Sequence, residues 1–296
     1  MVHCRSLGGH EVTLKVAIPD TALTDCSDLR QKTVKAGSIA RALAVFRVDT
    51  VYIYYTGTLA ASKKRDADLL TKLLRFMDTP QYLRKRIFPK SPSLKYAGIL
   101  PPLRTRSHPL ESTKSKLQEG VVRWGVQIRS GKVDLGLDRP INYSKTISER
   151  DPTLFRVKKI LPQIALEIID REDVEEYWGF AVERVRELSS LLEEAEDDTR
   201  IGFSRKAPPF HRLEADLKST VAATQSVLAI FGGPGHGILD VFQEERETVK
   251  SNIDFWVNTI SDQGTETVRL DEALLVSLGV LNVSLGPMVA KPGFHE

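Results

Sequence analysis

The stretch LAIFGGPGHG, residues 228–237, decides how the chain is read. An apolar run short enough for one buried strand ends in four glycines, one proline and one histidine within six positions, 232–237. Glycine permits positive φ and proline fixes its own, so a sharp turn is the plain explanation. The alternative is that a ligand approaches this backbone closely, because ligands of open α/β sheets gather beyond the carboxyl ends of strands. A second segment of the same kind, SDQGTETVR (261–269), follows the apolar run IDFWVNTI. Gly264 would allow close backbone approach there, while Gln263, Thr265 and Thr267 bring amide and hydroxyl groups that suit a polar ligand. Two such loops side by side would make one pocket. The first loop lacks the GK[ST] of a P-loop, and its Gly233, Gly235 and Gly237 follow GxGxG rather than GxGxxG spacing.

Outward from these loops, apolar strands alternate with helical patterns. HEVTLKVAIP, TVYIYY, YWGFAVERV, TRIGFS, SVLAIFGG and IDFWVNTI read as strands. The long segment 24–48, residues 61–77, ELSSLLEEAE, HRLEADLKSTVAAT, ILDVFQEERETV and DEALLVSLGVLN read as helices. Runs of that length imply a parallel sheet covered on both faces. Between the two α/β portions the rhythm breaks: FPKSPSLKYAGILPPLRTRSHP holds five prolines, and GVVRWGVQIRSGKVDLGLDRPINYS alternates with glycine turns. The expected organisation is therefore a discontinuous α/β domain, residues 1–88 and 171–296, interrupted at 89–170 by a small antiparallel module. Its short strands and basic residues suit an OB-like barrel.

Charge follows the same division. The 296 residues carry a net charge of +3, yet 89–160 hold 15 Lys and Arg against 6 Asp and Glu, while 171–200 hold 11 acids against 4 bases. A surface polarised in this way favours a polyanion on one side, and RNA contacts are expected at Arg104, Arg106, Arg123, Arg129 and Lys132 in the insert, with Arg205 and Lys206 beyond it. Trp124 either stacks on a base or belongs to the insert's core. Cys4 and Cys26, without a CxxC or HExxH spacing, support neither a disulfide framework nor a metal site. No apolar run reaches the roughly 18 residues that span a bilayer, and the first residues lack the apolar centre of a secretion signal. A cytoplasmic protein without a membrane partner is the expectation.

The order IGFSRKA (201–207), LAIFGGPGHGI (228–238) and QGTETVRLDEALLVSLGVLN (263–282) resembles the SPOUT methyltransferases, in particular their archaeal and eukaryotic RNA uridine-N3 methyltransferase branch. EYWGF (176–180) and GSIARALAVFRVD (37–49) carry the likeness further. The resemblance implies a trefoil knot, a homodimer, and S-adenosylmethionine bent against main-chain groups. Gly232, Gly233, Pro234, Gly235 and Gly237 would form one wall, and Thr259, Ile260, Gln263, Gly264, Thr265, Thr267 and Val268 the other. It implies methylation of RNA, at N3 of a uridine in ribosomal RNA; ribose 2′-O methylation, or a non-catalytic RNA-binding or ribosome-assembly role on the same fold, are the alternatives. Arg41 matches the arginine of the ribose-methylating SPOUT enzymes and is the catalytic candidate, as stabiliser of a uridine anion. For a base, Asp262, Glu266, Asp271, Glu272 and His236 lie in range of the loops, with Asp271 and Glu272 also placed to cap the following helix. Where the family shows Thr-Ser-Glu-Arg-Gly, this chain has Phe203, Ser204, Arg205, Lys206 and Ala207, which fits phosphate contact better than acid–base work.

Overall fold

The computed structural model describes residues 12–60, 63, 65–109, 117–242 and 245–286. They fall into two compact units, one running to Leu74 and resuming at Phe180, the other spanning Arg75–Gly179. The readings placed on Cys4 and on the first two residues of HEVTLKVAIP lie outside the described residues.

The chain opens with β1 (Thr13–Pro19), α1 (Leu29–Val45), β2 (Thr50–Tyr54) and α2 (Arg65–Asp78). α1 starts where the Asp28 carboxylate accepts from the Gln31 N–H at 2.8 Å, an N-cap that satisfies an otherwise orphaned donor. After α3 (Gln81–Ile87) come β3 (Val122–Arg129), β4 (Lys132–Asp134), β5 (Ile141–Asn142), β6 (Thr153–Lys159) and β7 (Ala165–Ile168). The first unit resumes with β8 (Ala181–Val185), α4 (Leu188–Glu194), β9 (Thr199–Phe203), α5 (Glu214–Thr224) and β10 (Ser226–Phe231). It ends with α6 (Ile238–Val241), α7 (Arg246–Ser251), β11 (Phe255–Val257) and α8 (Leu270–Leu285).

The six strands of the first unit form one sheet in the order β11-β9-β10-β1-β2-β8, every pairing parallel. Val227–Phe231 of β10 are all buried, as a central strand covered on both faces requires. Leu228 and Ile230 point to one face, where Leu188, Leu191 and Leu192 of α4 and Val249 of α7 pack on them. α8 lies against α1 and α5. The segment ILDVFQEERETV is not one helix. At Phe242 the backbone leaves helical space (φ −108°, ψ 58°), its ring turns to Tyr54 with centroids 5.9 Å apart, and α6 and α7 form as separate short pieces.

The second unit carries an antiparallel sheet of order β5-β4-β3-β6-β7. β3 turns into β4 through Ser130 and Gly131, the latter at φ +74°, as the Ser-Gly signal suggests. Among the described residues β5 and β7 remain edges without mutual pairing, so the sheet has four pairings and is open where a closed five-stranded barrel needs a fifth. The unit also starts earlier and ends later than 89–170. Asp78 pairs with Arg171 at 2.6 Å, the Met77 carbonyl accepts from Arg84 at 3.0 Å, and Tyr82 of α3 donates to the Trp124 carbonyl at 2.9 Å. These contacts tie the end of α2 and all of α3 to the sheet. Trp124 settles into this core: the Arg171 guanidinium lies 4.9 Å from its ring centroid, and Leu154, Ile169, Val174 and Trp178 form the cluster it packs on.

Among the described residues no helix is long and apolar enough to cross a membrane.

Candidate active site

The carboxyl ends of β9, β10 and β11 are neighbours in the sheet, and the loops leaving them enclose a cavity of about 540 Å³. That volume lies within the range of small-molecule sites. Its base is apolar: Phe203 and Phe231, at the last positions of adjacent strands, stack with centroids 4.6 Å apart and planes 12° off parallel. Trp256 of β11 forms a flank, and Gly202 is what lets it lie there, since a Cβ at 202 would stand 2.9 Å from two atoms of the indole.

The glycine loop is a tight, self-bonded turn. Gly233 N donates to the His236 carbonyl at 3.0 Å and His236 N donates back to the Gly233 carbonyl at 3.3 Å. Pro234 and Gly235 (φ +78°) occupy the corners, the pairing a type II turn requires. A Cβ at Gly232 would meet the His236 carbonyl oxygen at 3.0 Å and Gly237 Cα and Ile238 N at 3.1 Å, while one at Gly233 would meet Thr21 Oγ1 at 2.5 Å. The glycines at 232 and 233 thus answer to the protein's own packing, in line with the sharp turn that is their plain explanation. Gly235 and Gly264 face open space, so packing alone does not demand glycine there. Tyr54, fully buried, donates its hydroxyl to the Phe231 carbonyl at 2.7 Å and holds the strand end from below; burial pushes that phenol well above its usual range. On the far side of the turn, the Asp240 carboxylate accepts from Gly237 N at 2.8 Å.

The opposing wall is built from the loop after β11. Asn258 links it to the loop after β9: its amide donates to the Arg205 carbonyl at 3.0 Å, and its Oδ1 accepts from Ile260 N at 2.9 Å. Thr259 Oγ1 and Ser277 Oγ of α8 share a hydrogen bond of 2.7 Å. Gln263 lines the cavity but uses its Nε2 within the loop, donating to the Thr265 and Glu266 carbonyls at 2.8 and 3.1 Å. The Thr265 hydroxyl likewise donates within the loop, to the Thr267 carbonyl at 3.0 Å. Two of the candidate acids are engaged too: Glu272 accepts from Arg269 N at 2.8 Å at the start of α8, and Asp271 lies 3.9 Å from Lys35.

Of the residues expected at the cofactor, Gly232, Gly233, Gly235, Gly237, Thr259, Ile260, Gln263, Thr267 and Val268 line the cavity, while Pro234, Gly264 and Thr265 stand outside its lining. Arg41 lies on α1, also outside it. Arg205 and Lys206 are exposed at its wall. In the second unit Arg104 and Arg129 are exposed and Lys132 bonds the Asn142 amide oxygen. Arg106 pairs with Glu176 at 3.3 Å. Arg123 is buried, 8% exposed, and donates to the Leu135 carbonyl at 3.2 Å; a guanidinium held inside a core does not meet a phosphate backbone, so its expected RNA contact is withdrawn. The sequence reading missed Asn258, Trp256, Arg246 and Lys250, which also contribute to the cavity and carry no glycine or motif signal.

Residues 13–281 match the family described as "Putative RNA methyltransferase". The chain belongs to that family. As an RNA methyltransferase it is similar to the mouse protein named 28S rRNA (uridine-N(3))-methyltransferase, 30% identical over 321 residues that cover 97% of this chain and 80% of the mouse one. The human protein of the same name is 29% identical over 318 residues, covering 94% of this chain and 80% of its own length. An uncharacterised Halobacterium salinarum protein is 30% identical over 290 residues, 92% of this chain and all of its own length.

Proposed function

We propose that this methyltransferase places a methyl group on N3 of a uridine in ribosomal RNA, with S-adenosylmethionine as donor held between the loops after β10 and β11. The observation that carries the reading is the shared cavity of two glycine-bearing strand-end loops in a chain of this family. The residues fit the donor: stacked Phe203 and Phe231, Trp256 and Ile260 suit an adenine, and the main chain of 232–237 and 259–268 presents N–H and C=O groups for the ribose and amino-acid portions. When bound, S-adenosylmethionine supplies a methyl on a sulfonium, open to in-line displacement. The chain's part is to hold the acceptor in line and to favour loss of the N3 proton.

Arg41 is proposed for that second task, stabilising the uridine anion. It lies on the stripe of α1 that also holds Val34 and Val45, each 50% exposed, at helical spacings of seven and four residues. α8, packed on α1, exposes Leu275, Val276 and Val283, the last by 82%. An apolar face of this kind in water supports the proposed homodimer, with Arg41 offered across it. The trefoil knot belongs to the same proposal, supported by α8, whose Leu270, Ala273 and Ser277 close the cavity opposite the glycine turn. So do the OB-like character of the second unit, supported by the β5-β4-β3-β6-β7 order, and the cytoplasmic location.

The test is transfer of labelled methyl from S-adenosylmethionine to ribosomal RNA, followed by nuclease digestion and mass spectrometry of the nucleosides. The reading predicts 3-methyluridine. A 2′-O-methylated nucleoside would replace it with ribose chemistry, and no labelled product with either RNA or donor binding intact would leave a non-catalytic binding factor.

A further inference from the structure

The charge of the donor cavity does not match the donor. Four cations line it, Arg205 and Lys206 from the loop after β9 and Arg246 and Lys250 from α7, against one carboxylate, Asp240. That carboxylate is already engaged by Gly237 N. Arg246 and Lys250 stand four residues apart and so share one face of α7. Among the described residues none of the four makes an ion pair, whereas Arg200, Lys15, Lys32 and Arg171 of the same chain are each matched to an aspartate at 2.6–2.9 Å. The two arginines are nonetheless held: Arg205 donates to the Glu266 carbonyl at 3.0 Å and Arg246 to the Leu239 carbonyl at 3.0 Å, which fixes the guanidinium without neutralising it. The Lys250 carbonyl accepts from the Trp256 indole at 3.4 Å.

S-adenosylmethionine brings one carboxylate, outweighed by its own ammonium and sulfonium, so by itself it adds a positive charge to an already positive cavity. The counter-charge must come with the second substrate. Resting on the methyltransferase reading above, we infer that Arg205, Lys206, Arg246 and Lys250 form a phosphate cradle that seats the RNA backbone beside the target nucleotide at the donor cavity. RNA carries one phosphate per nucleotide, and a planar guanidinium grips it through paired N–H groups while lysine acts as a point charge. Two consequences follow. Without RNA, the demethylated product, a zwitterion of zero net charge once the sulfonium is gone, binds better than the donor. With RNA seated, that difference shrinks, because the phosphates offset the repulsion that the sulfonium meets.

The experiment is fluorescence anisotropy of a labelled single-stranded oligoribonucleotide containing uridine, titrated with protein across a range of salt concentrations. Each phosphate contact contributes about 0.7 to the slope of log affinity against log salt for a single strand. Arg246→Gln combined with Lys250→Gln is expected to lower that slope by about 1–1.5, and Lys206→Gln alone, on a different loop, by about 0.7. Calorimetric titration with the demethylated product checks that the cavity stands in each variant, and the ratio of product to donor affinity is expected to fall toward one in the double variant. An unchanged slope in both variants, with parent and variants binding RNA alike, overturns the cradle and leaves the methyltransferase reading intact. A parent protein that binds no RNA overturns both.

Discussion

Replacing Gly232 by alanine separates the two explanations of the glycine loop. The added carbon would lie 3.0 Å from the His236 carbonyl oxygen and 3.1 Å from Gly237 Cα and Ile238 N, tighter than ordinary contact, and all three are backbone atoms of one closed turn. No side chain is available to swing aside, so relief requires moving the turn itself. Overpacking of this kind costs about 1–3 kcal/mol. At roughly 2–4 °C per kcal/mol for a chain of this size, the melting temperature is expected to drop by about 2–12 °C. Alanine at Gly264, where an added carbon meets open space and φ is not positive, is expected to leave it within about 1–2 °C. Differential scanning calorimetry on both variants, followed by titration with the demethylated product, reads stability and cavity separately: Gly232→Ala loses both, because the turn that moves is a cavity wall. If Gly232→Ala melts with the parent while Gly264→Ala is the unstable one, the loop packing argued from these contacts is wrong.

Three further outcomes are expected. Tyr54→Phe removes the donor from a buried carbonyl at the end of β10 and should cost about 1–3 kcal/mol in urea unfolding, with weaker product binding; parent-like stability would deny Tyr54 its supporting role. Val276→Glu with Val283→Glu puts charge on the exposed apolar face of α8 and should turn a dimer into monomers by light scattering, while a parent that is already monomeric would refute the proposed association. His108 bonds the Met77 carbonyl through Nε2 at 3.0 Å; burial lowers its pKa, Asp78 opposes that and Arg84 reinforces it. Its folded pKa lies below the unfolded value near 6.5, so the stability it contributes is present above that pH and is lost as pH falls toward the folded value, with a slope of up to about 1.4 kcal/mol per pH unit. His108→Gln should flatten the acid side of the stability curve below about pH 6.5; identical curves for parent and variant would exclude His108 as the cause.

The parallel sheet was legible because its strands are apolar on both faces: SVLAIF and TVYIY announce themselves by composition, and their order places the two glycine loops at one edge region. The limits of the second unit were not, since they depend on Asp78 meeting Arg171 across 93 positions and on Tyr82 reaching the Trp124 carbonyl, pairings that leave no local pattern. The purpose of individual glycines was legible only in part. Gly232 answers to its own turn, which GGPGHG suggests, but Gly233 answers to Thr21, a contact that GGPGHG does not show. The same holds for polar side chains. Gln263 and Thr265 look available in sequence, yet a loop leaving an edge strand has carbonyls to satisfy, and these two satisfy them. Arg123 was misplaced because alternation in a short strand shows which residues share a face, not which face is inside. Arg246 lay hidden in a segment that reads as one helix and folds as two, and Lys250 just past its end.

The most direct measurement is a crystal structure of the protein with the demethylated product of S-adenosylmethionine. Density for that ligand between residues 232–237 and 259–268, with its adenine against Phe203, Phe231 or Trp256, is the result expected. Ligand bound elsewhere at full occupancy, with the space between the two loops closed by side chains, would contradict the assignment of this cavity to the methyl donor.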